Sequence, residues 1–465
     1  MNNKGLFHKT LILVIVLISI AIVCMRAGFS TSQILATVAF VLSILGTLLF
    51  WEFRLSFAFL GGAIILVSGI TTLEEFIRLA SFEVIFFLIG MMILVGFLKE
   101  IGLFTYILQR AIVMKNLTAR KLMLTLIFTS AFLACVVDEV SSIIFMSMII
   151  FEFCDYFELD PIPLIIISVL ATNIGSTGTV IGNPIGLLIA AKAGLTFEDF
   201  LIYSFPLMVL SLFVLCAVVF VMFRKLIAEL QEKINKNGPN EFLVSLLAVP
   251  PDRKIRIGAV LFGATILLIA GHHRLEVLLN IETNTILLMA PLTTAAIVMV
   301  WRRHRARSYV EKDVEWWTLL FFIFLFAQAG VMSETGVAEK MAHGLLSLVS
   351  SGKLAILSTI LFSTAIVSSA LDNVVVVAGL IPVLTSLSSI LNIKHLLWWA
   401  FLFGACFGGN ITIIGSTANI MAIGTIEKQK GVTIGFGYWI KIGFVVGMIT
   451  LVFVLAFLYF MPYYK

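Results

Sequence analysis

Apolar runs long enough to cross a bilayer follow one another along almost the whole chain, separated by short polar breaks. Lipid offers no water to backbone amides and carbonyls, so such a chain can fold only as a helical bundle or a closed β-barrel. A barrel needs short strands of alternating polarity, and the sequence holds no such alternation. With 61% hydrophobic residues, 12% charged residues and a mean hydropathy of +1.12, the 465 residues are far too apolar for a soluble core. The sequence therefore predicts an all-α polytopic membrane protein.

Hydropathy and helix breakers together predict eleven crossings, near residues 10–27, 32–50, 55–70, 82–98, 163–192, 203–223, 255–271, 275–300, 315–332, 396–426 and 436–460. Two further apolar stretches, 121–155 and 353–393, carry polar residues at their centres and are read as re-entrant hairpins. Lys4 and Lys9 precede the apolar run Leu11 to Met25 as in a signal peptide, but no A-x-A site follows, so an uncleaved first helix is expected. A cytoplasmic N-terminus leaves only Arg26, Arg78, Lys192, Arg274, Lys340, Lys353, Lys394 and Lys465 outside, and the other 23 of the 31 Lys and Arg inside. That bias orients the chain, with the C-terminus outside. The clusters Arg253, Lys254, Arg256 and Arg302, Arg303, Arg305, Arg307 are read as topology anchors rather than as lipid or nucleic-acid sites. The five cysteines lack CxxC spacing and the six histidines form no HExxH motif, so neither a disulfide framework nor a metal site is expected.

The chain repeats itself. FFLIGMMILVGFLKEIG, ending at Gly102, resembles LLFFIFLFAQAGVMSETG, ending at Gly336, and Asp138 then falls opposite Asp372 at the same offset of 234. TVIGNPIG from Thr179 resembles TIIGSTAN from Thr412 at an offset of 233. An acidic hairpin tip followed by a glycine-rich helix break, recurring in one order, points to duplication. Each copy holds five crossings and a hairpin, and five is odd, so the second copy is expected upside down relative to the first. The expected organisation is an N-terminal transmembrane helix (1–30), repeat 1 (31–224), a hydrophilic cytoplasmic linker (225–254) and repeat 2 (255–465).

Two constellations carry the chemistry. A helix over 163–192 would run about 45 Å, longer than a hydrocarbon core of about 30 Å, so it has length to spare for the unwound stretch TNIGSTGTVIGNPIG. Glycines there let the backbone bend, Pro184 removes a donor, and Asn173, Thr177, Thr179 and Asn183 add side-chain oxygens. The counterpart, Gly404 to Gly424, offers Asn410, Thr412, Ser416 and Asn419. Such a break can present carbonyls to a cation or a helix N-terminus to an anion. The hairpin tips add Asp138, Glu139 and Ser142 in one copy and Asp372 and Asn373 in the other. A carboxylate deep in a membrane helix costs about 2.5–3.5 kcal/mol on insertion scales and so faces a partner or a wet cavity. The simpler role for these acids is to cap the second hairpin arm.

SALDNVVVVAGLIPVL, Ser369 to Leu384, and GGNITIIGSTANIMAIGTIEKQKG, Gly408 to Gly431, resemble signatures of the ion transporter superfamily. Within it they are similar to the citrate-transporter-like group, which includes arsenical pump membrane proteins, the melanosomal P protein and sodium/proton antiporters of the NhaD type. The likeness covers roughly residues 31–460. It implies a scaffold domain and a transport domain, a site between hairpin tips and broken helices, elevator-type alternating access and a homodimer. Glu139 departs from the group's usual asparagine, and Ile185 and Gly186 depart from a common second proline and asparagine. Dicarboxylate-transporting relatives carry neutral Ser-Asn-Thr tips, so acidic tips favour cation or proton chemistry.

The resulting expectation is an ion-coupled secondary transporter, first of all a sodium/proton exchanger, in a bacterial or archaeal cytoplasmic membrane. Proton-driven efflux of arsenite or another oxyacid, and sodium-coupled uptake of a di- or tricarboxylate, are the transport alternatives; an ion channel is the alternative class. The expected partners are a small ion or small-molecule substrate and the bilayer, with no nucleic acid. No cofactor is expected beyond sodium or a proton as coupling ion, and no nucleophile-and-base arrangement suggests an enzyme.

Overall fold

A computed structural model describes residues 3–112, 118–237, 252–348, 352–391 and 394–460. All regular structure among the described residues is helical. Among the described residues ten helices are long and apolar enough to cross a membrane, or eleven if the bent pair Arg253–Ala270 and His272–Leu279, angled at 66°, forms one span. The protein is an all-α polytopic membrane protein, as the hydropathy requires.

Most expected crossings coincide with helices, and three do not run through. Residues 163–192 form two pieces, Pro161–Gly175 and Pro184–Ala193, and residues 396–426 form Lys394–Gly408 and Thr417–Lys430. These are the two breaks that glycine and proline announce. The third interruption carries a different signal: the apolar stretch 275–300 divides into His272–Leu279 and Thr285–Trp301. Asn280 and Asn284 both take left-handed backbone conformations, with φ of 53° and 68°. The Glu276 carboxylate, 2% exposed, accepts hydrogen bonds from the Asn284 and Ile286 amides at 2.9 and 2.8 Å. Asparagine tolerates the left-handed region and an acid satisfies orphaned amides at a helix start, so this turn is held from within. The crossing expected at 55–70 is also shorter than expected, a 14-residue helix, Arg54–Val67.

The duplication is visible in the elements. Phe82–Glu100 and Trp316–Glu334 are both 19 residues long and stand 234 apart. Each leads to a glycine in the left-handed region, Gly102 and Gly336, both at φ 76°. The arms Ala119–Val136 and Glu139–Phe157 of the first hairpin correspond to Lys353–Ala370 and Asn373–Ile390 of the second. At 18 or 19 residues each arm is long enough to traverse the hydrocarbon by itself. The expected linker begins as a helix, Arg224–Asn237; its residues 238–251 lie outside the described residues.

Chain contacts divide the protein into two compact units. The first comprises Met1–Phe86, Glu315–Ile356 and Val375–Leu397. Its core is built on small residues, Ala36, Ala39, Ala80 and Ala327 around Ile65, Phe76 and Val331, which let helices approach closely where no hydrophobic effect drives them together. Gln328, fully buried, ties three helices: it accepts from Ser43 Oγ at 2.8 Å and donates to the Ala58 carbonyl at 2.9 Å. The second unit, Phe87–Val314, Leu357–Val374 and Trp398–Lys465, contains both hairpin tips and both helix breaks.

Candidate functional site

At the first tip the chain leaves the helix at Val137, and Asp138 becomes the cap of the next arm, its Oδ1 accepting from the Ser141 amide at 2.7 Å. This is the capping role that a short acid at a helix start provides. Asp138 is half-buried. Glu139, one residue on, is 2% exposed and points inward. Asp372 and Asp138 act on it electrostatically, and the Ser176 and Asn373 side chains approach it. One of its carboxylate oxygens nevertheless has no hydrogen-bond partner. Ser142, also 2% exposed, donates to the Ser130 carbonyl at 3.0 Å.

The second tip repeats the device with different chemistry. Asp372 Oδ1 accepts from the Val374 amide at 3.0 Å, and Oδ2 accepts from the Thr417 hydroxyl at 2.5 Å. Asn373 occupies the position of Glu139; it is fully buried and neither polar atom of its amide is hydrogen-bonded. Buried amides and carboxylates are normally satisfied, so unpaired atoms in one place mark a spot prepared for something else.

The breaks are clamped against the hairpins in the same way twice. A Cβ on Gly175 would lie 2.3 Å from the Ala131 carbonyl oxygen, and one on Gly408 would lie 2.5 Å from that of Ala365. Only glycine allows these helices to touch. Four residues after each glycine a threonine hydroxyl crosses to the hairpin: Thr179 donates to the Cys135 carbonyl and Thr412 to the Ser369 carbonyl. Thr177 donates to the Ile174 carbonyl at 2.7 Å. Each outgoing half-helix is capped, by Asn183 Oδ1 accepting from the Gly186 amide at 2.7 Å and by Ser416 Oγ accepting from the Ala418 amide at 3.2 Å. Asn183 also donates to Ser176 Oγ at 2.8 Å and to Cys406 Sγ at 3.3 Å.

The two copies meet through asparagines. Asn173 Nδ2 donates to Asn410 Oδ1 at 2.8 Å and to Asn419 Oδ1 at 2.9 Å, while its Oδ1 accepts from Ser416 Oγ at 3.1 Å. Asn419 in turn donates to the Gly409 and Thr412 carbonyls, both at 2.8 Å. All four of these side chains are fully buried, and Asn410 Nδ2 is left without a partner.

The thirteen residues singled out from the sequence thus lie in one unit, in three settings. Glu139, Asp372 and Asn373, with Asn173, Asn410, Ser416 and Asn419, form the interior polar cluster; Asp138 and Asn183 cap helices at its edge. Ser142, Thr177, Thr179 and Thr412 donate their hydroxyls to backbone carbonyls, Ser142 joining the two arms of the first hairpin and the threonines fastening the breaks. Sequence reasoning missed Ser176, Thr417 and Cys406. The offset of 233 pairs Cys406 with Asn173, a signal that could have found it. Among the described residues no group of three or more His, Cys, Asp or Glu side chains could hold a metal ion.

Capped hairpin tips and unwound helix centres, duplicated within a helical membrane chain and sharing one buried polar cluster, define a secondary transporter. The chain belongs to the CitMHS citrate transporter family, whose profile matches residues 52–404 and 329–464. It is 30% identical over 376 residues to an uncharacterized transporter of Mycobacterium bovis, covering 80% of this chain and 84% of that protein. It is 27% identical over 450 residues to the P protein of Homo sapiens, covering 82% of this chain and 54% of that longer protein. Among solved structures it is similar in fold to the YdaH transporter of Alcanivorax borkumensis, with a TM-score of 0.55 and 17% identity over 84% of this chain and 88% of that one. The protein is an integral membrane transporter that serves a small-molecule substrate.

Proposed function

We propose that the protein exchanges sodium ions for protons, with Glu139 and Asp372 as the groups that carry the coupling charge. One observation carries the reading: Glu139 is 2% exposed, has an unpaired carboxylate oxygen, and the charged groups acting on it, Asp372 and Asp138, are both acidic. Like charges in a dry place cannot all ionise cheaply; each added charge calls for a proton or a metal cation. Sodium takes oxygen ligands, and the unpaired Glu139 and Asn373 oxygens stand in one cluster with Asp372 and with Ser176 of the first break. Alternation of sodium and protons at these carboxyls gives antiport.

The remaining features follow from the resemblance and the charge pattern: an elevator-type movement, a homodimer, two inverted repeats over 31–224 and 255–465, and a cytoplasmic N-terminus. A second reading is favoured by the family itself, described as a citrate transporter. A carboxylate substrate would then enter only together with a cation, because the acidic tips repel it alone. Proton-driven oxyacid efflux shares the same requirement for a titrating carboxyl.

Purified protein in liposomes, assayed for proton movement under an imposed sodium gradient and for citrate and arsenite flux, tests the choice. Sodium-driven proton flux is expected, reduced to background by Glu139→Gln and Asp372→Asn in protein that remains monodisperse. Normal coupled flux in both variants, or citrate flux without sodium-driven proton movement in the unaltered protein, would overturn it.

A further inference from the structure

A cavity of about 380 Å³, lined by none of the polar-cluster residues, lies in the second unit between the helices Leu103–Ile112, Ala119–Val136 and Arg253–Ala270. Thirteen residues line it, and apart from the Tyr106 hydroxyl and one guanidinium they are apolar. That guanidinium belongs to Arg256, in the first turn of its helix. Arg256 is exposed, and among the described residues its side chain has no ion pair and no hydrogen-bond partner. The sequence assigns it only to topology; the structure sets it at the wall of an apolar chamber.

We propose that this cavity binds an anionic diacyl phospholipid, with one acyl chain in the chamber and the phosphate on Arg256. The volume falls in the range of small-molecule sites, and an apolar lining with a single polar handle fixes one end of an amphipathic ligand. Arg253 and Lys254 lie just before Arg256 on the same helix and add positive field where the chain enters the membrane. An unpaired cation at the start of an apolar helix sits where headgroups lie, and its long stem lets it reach them. A polytopic membrane chain is surrounded by lipid, which makes phospholipid the abundant candidate occupant. Val136 and Val137, the residues leading directly to Asp138, form part of the wall, so the bound chain braces the outside of the first hairpin tip.

Gly263 supplies the means of testing this. A Cβ added there meets nothing within 4 Å, so a larger side chain can grow into the chamber without straining the helix. The protein is reconstituted in phosphatidylcholine and labelled with phosphatidylglycerol bearing a photoactivatable group near the end of one acyl chain. Adducts are expected on Phe132 or Phe262, two of the lining residues. Unlabelled phosphatidylglycerol should compete about fivefold better than phosphatidylcholine, the preference that one basic side chain near a membrane surface confers. Arg256→Gln should remove most of the preference while leaving some labelling, and Gly263→Leu should remove most labelling by either lipid. If Gly263→Leu is not monodisperse, Ala259→Leu, which fills the same chamber, replaces it. Absence of adducts at the lining residues, equal competition by both lipids, or labelling indifferent to the filling variant would each overturn the assignment. None of these readouts depends on which ion the protein carries.

Discussion

The paired contacts of Gly175 and Gly408 give the sharpest test of how the polar cluster is held. An alanine at position 175 would place its Cβ 2.3 Å from the Ala131 carbonyl oxygen and 2.4 Å from the Ala131 Cα, whereas ordinary contact begins at 3.4 Å. The helices Ala119–Val136 and Pro161–Gly175 must therefore part by about 1 Å. At position 408 the corresponding distances, to the Ala365 oxygen and Cα, are both 2.5 Å. The opposing atoms are backbone and cannot swing aside as the end of a side chain would. Overpacking of this kind costs about 1–3 kcal/mol, and a backbone clash belongs at the upper end. Both glycines are the last residues of their helices, so alanine's better propensity returns less than its interior value of about 1 kcal/mol, leaving a net loss of at least about 2 kcal/mol at each site. Gly424, within Thr417–Lys430, supplies the control, because a Cβ there meets nothing within 4 Å. Thermal unfolding in detergent, followed by fluorescence-detected size exclusion, should show Gly175→Ala and Gly408→Ala lowered by similar amounts. Gly424→Ala should be unchanged or slightly raised. A Gly175→Ala protein as stable as the unaltered one would show that the hairpin and the broken helix are not locked together by this contact, and the twofold logic of the site would go with it.

Substitutions at two further positions probe the rest of the fold. Glu276→Ala leaves the Asn284 and Ile286 amides without their acceptor, at about 1–3 kcal/mol for each orphaned donor, so the unfolding midpoint should fall clearly; Glu276→Gln, which keeps one acceptor oxygen, should fall less. Asp313, outside the crossing helices, has its carboxyl held above the ordinary range by burial, with Lys99 opposing and Glu100 reinforcing the shift. A folded pKa above the unfolded one means that its contribution to stability is fully present below about pH 3.9 and is lost as pH rises through the folded value. Asp313→Asn should therefore be more stable than the unaltered protein at pH 7, with the difference shrinking toward pH 4 in midpoints measured across that range.

Much of this architecture is legible in the sequence because the features that build it are written in conspicuous letters. Glycines at 175, 182, 408 and 415 interrupt apolar runs, and each one turns out to face a neighbouring backbone that no side chain could approach. Capping residues likewise announce themselves: Asp138, Asn183 and Ser416 stand directly before apolar helices and bond to their first amides. The turn at Asn280 to Asn284 escaped because its flanks are as apolar as a single span, and its support comes from Glu276, near the start of that stretch. Connectivity between polar side chains was not legible at all. Asn173 finds its partners 237 and 246 residues away, and no local pattern distinguishes it from an asparagine that merely packs.

The duplication also shows where the backbone's instruction ends and the side chains' begins. Gly175 and Gly408, and Thr179 and Thr412, are alike in position and in contact, and Asp138 and Asp372 each accept from an early amide of the following helix, so the clamp and the capped tip recur. The residues at the other equivalent positions are unlike: Glu139 stands where the second copy has Asn373, Asn173 where it has Cys406, and Thr177 where it has Asn410. A symmetric scaffold can therefore hold an asymmetric set of donors and acceptors. One carboxylate oxygen, one whole amide and half of another are unpaired at these unlike positions, whereas the matched threonines are fully engaged with backbone. Selectivity for the cargo must then reside in the residues the duplication did not preserve, because a bound ion can gain only from groups that the fold has not already satisfied. Exchanging Glu139 and Asn373 between the tips keeps the composition and the clamp intact, which makes that swap the most direct way to separate the charge a site needs from the copy in which it needs it.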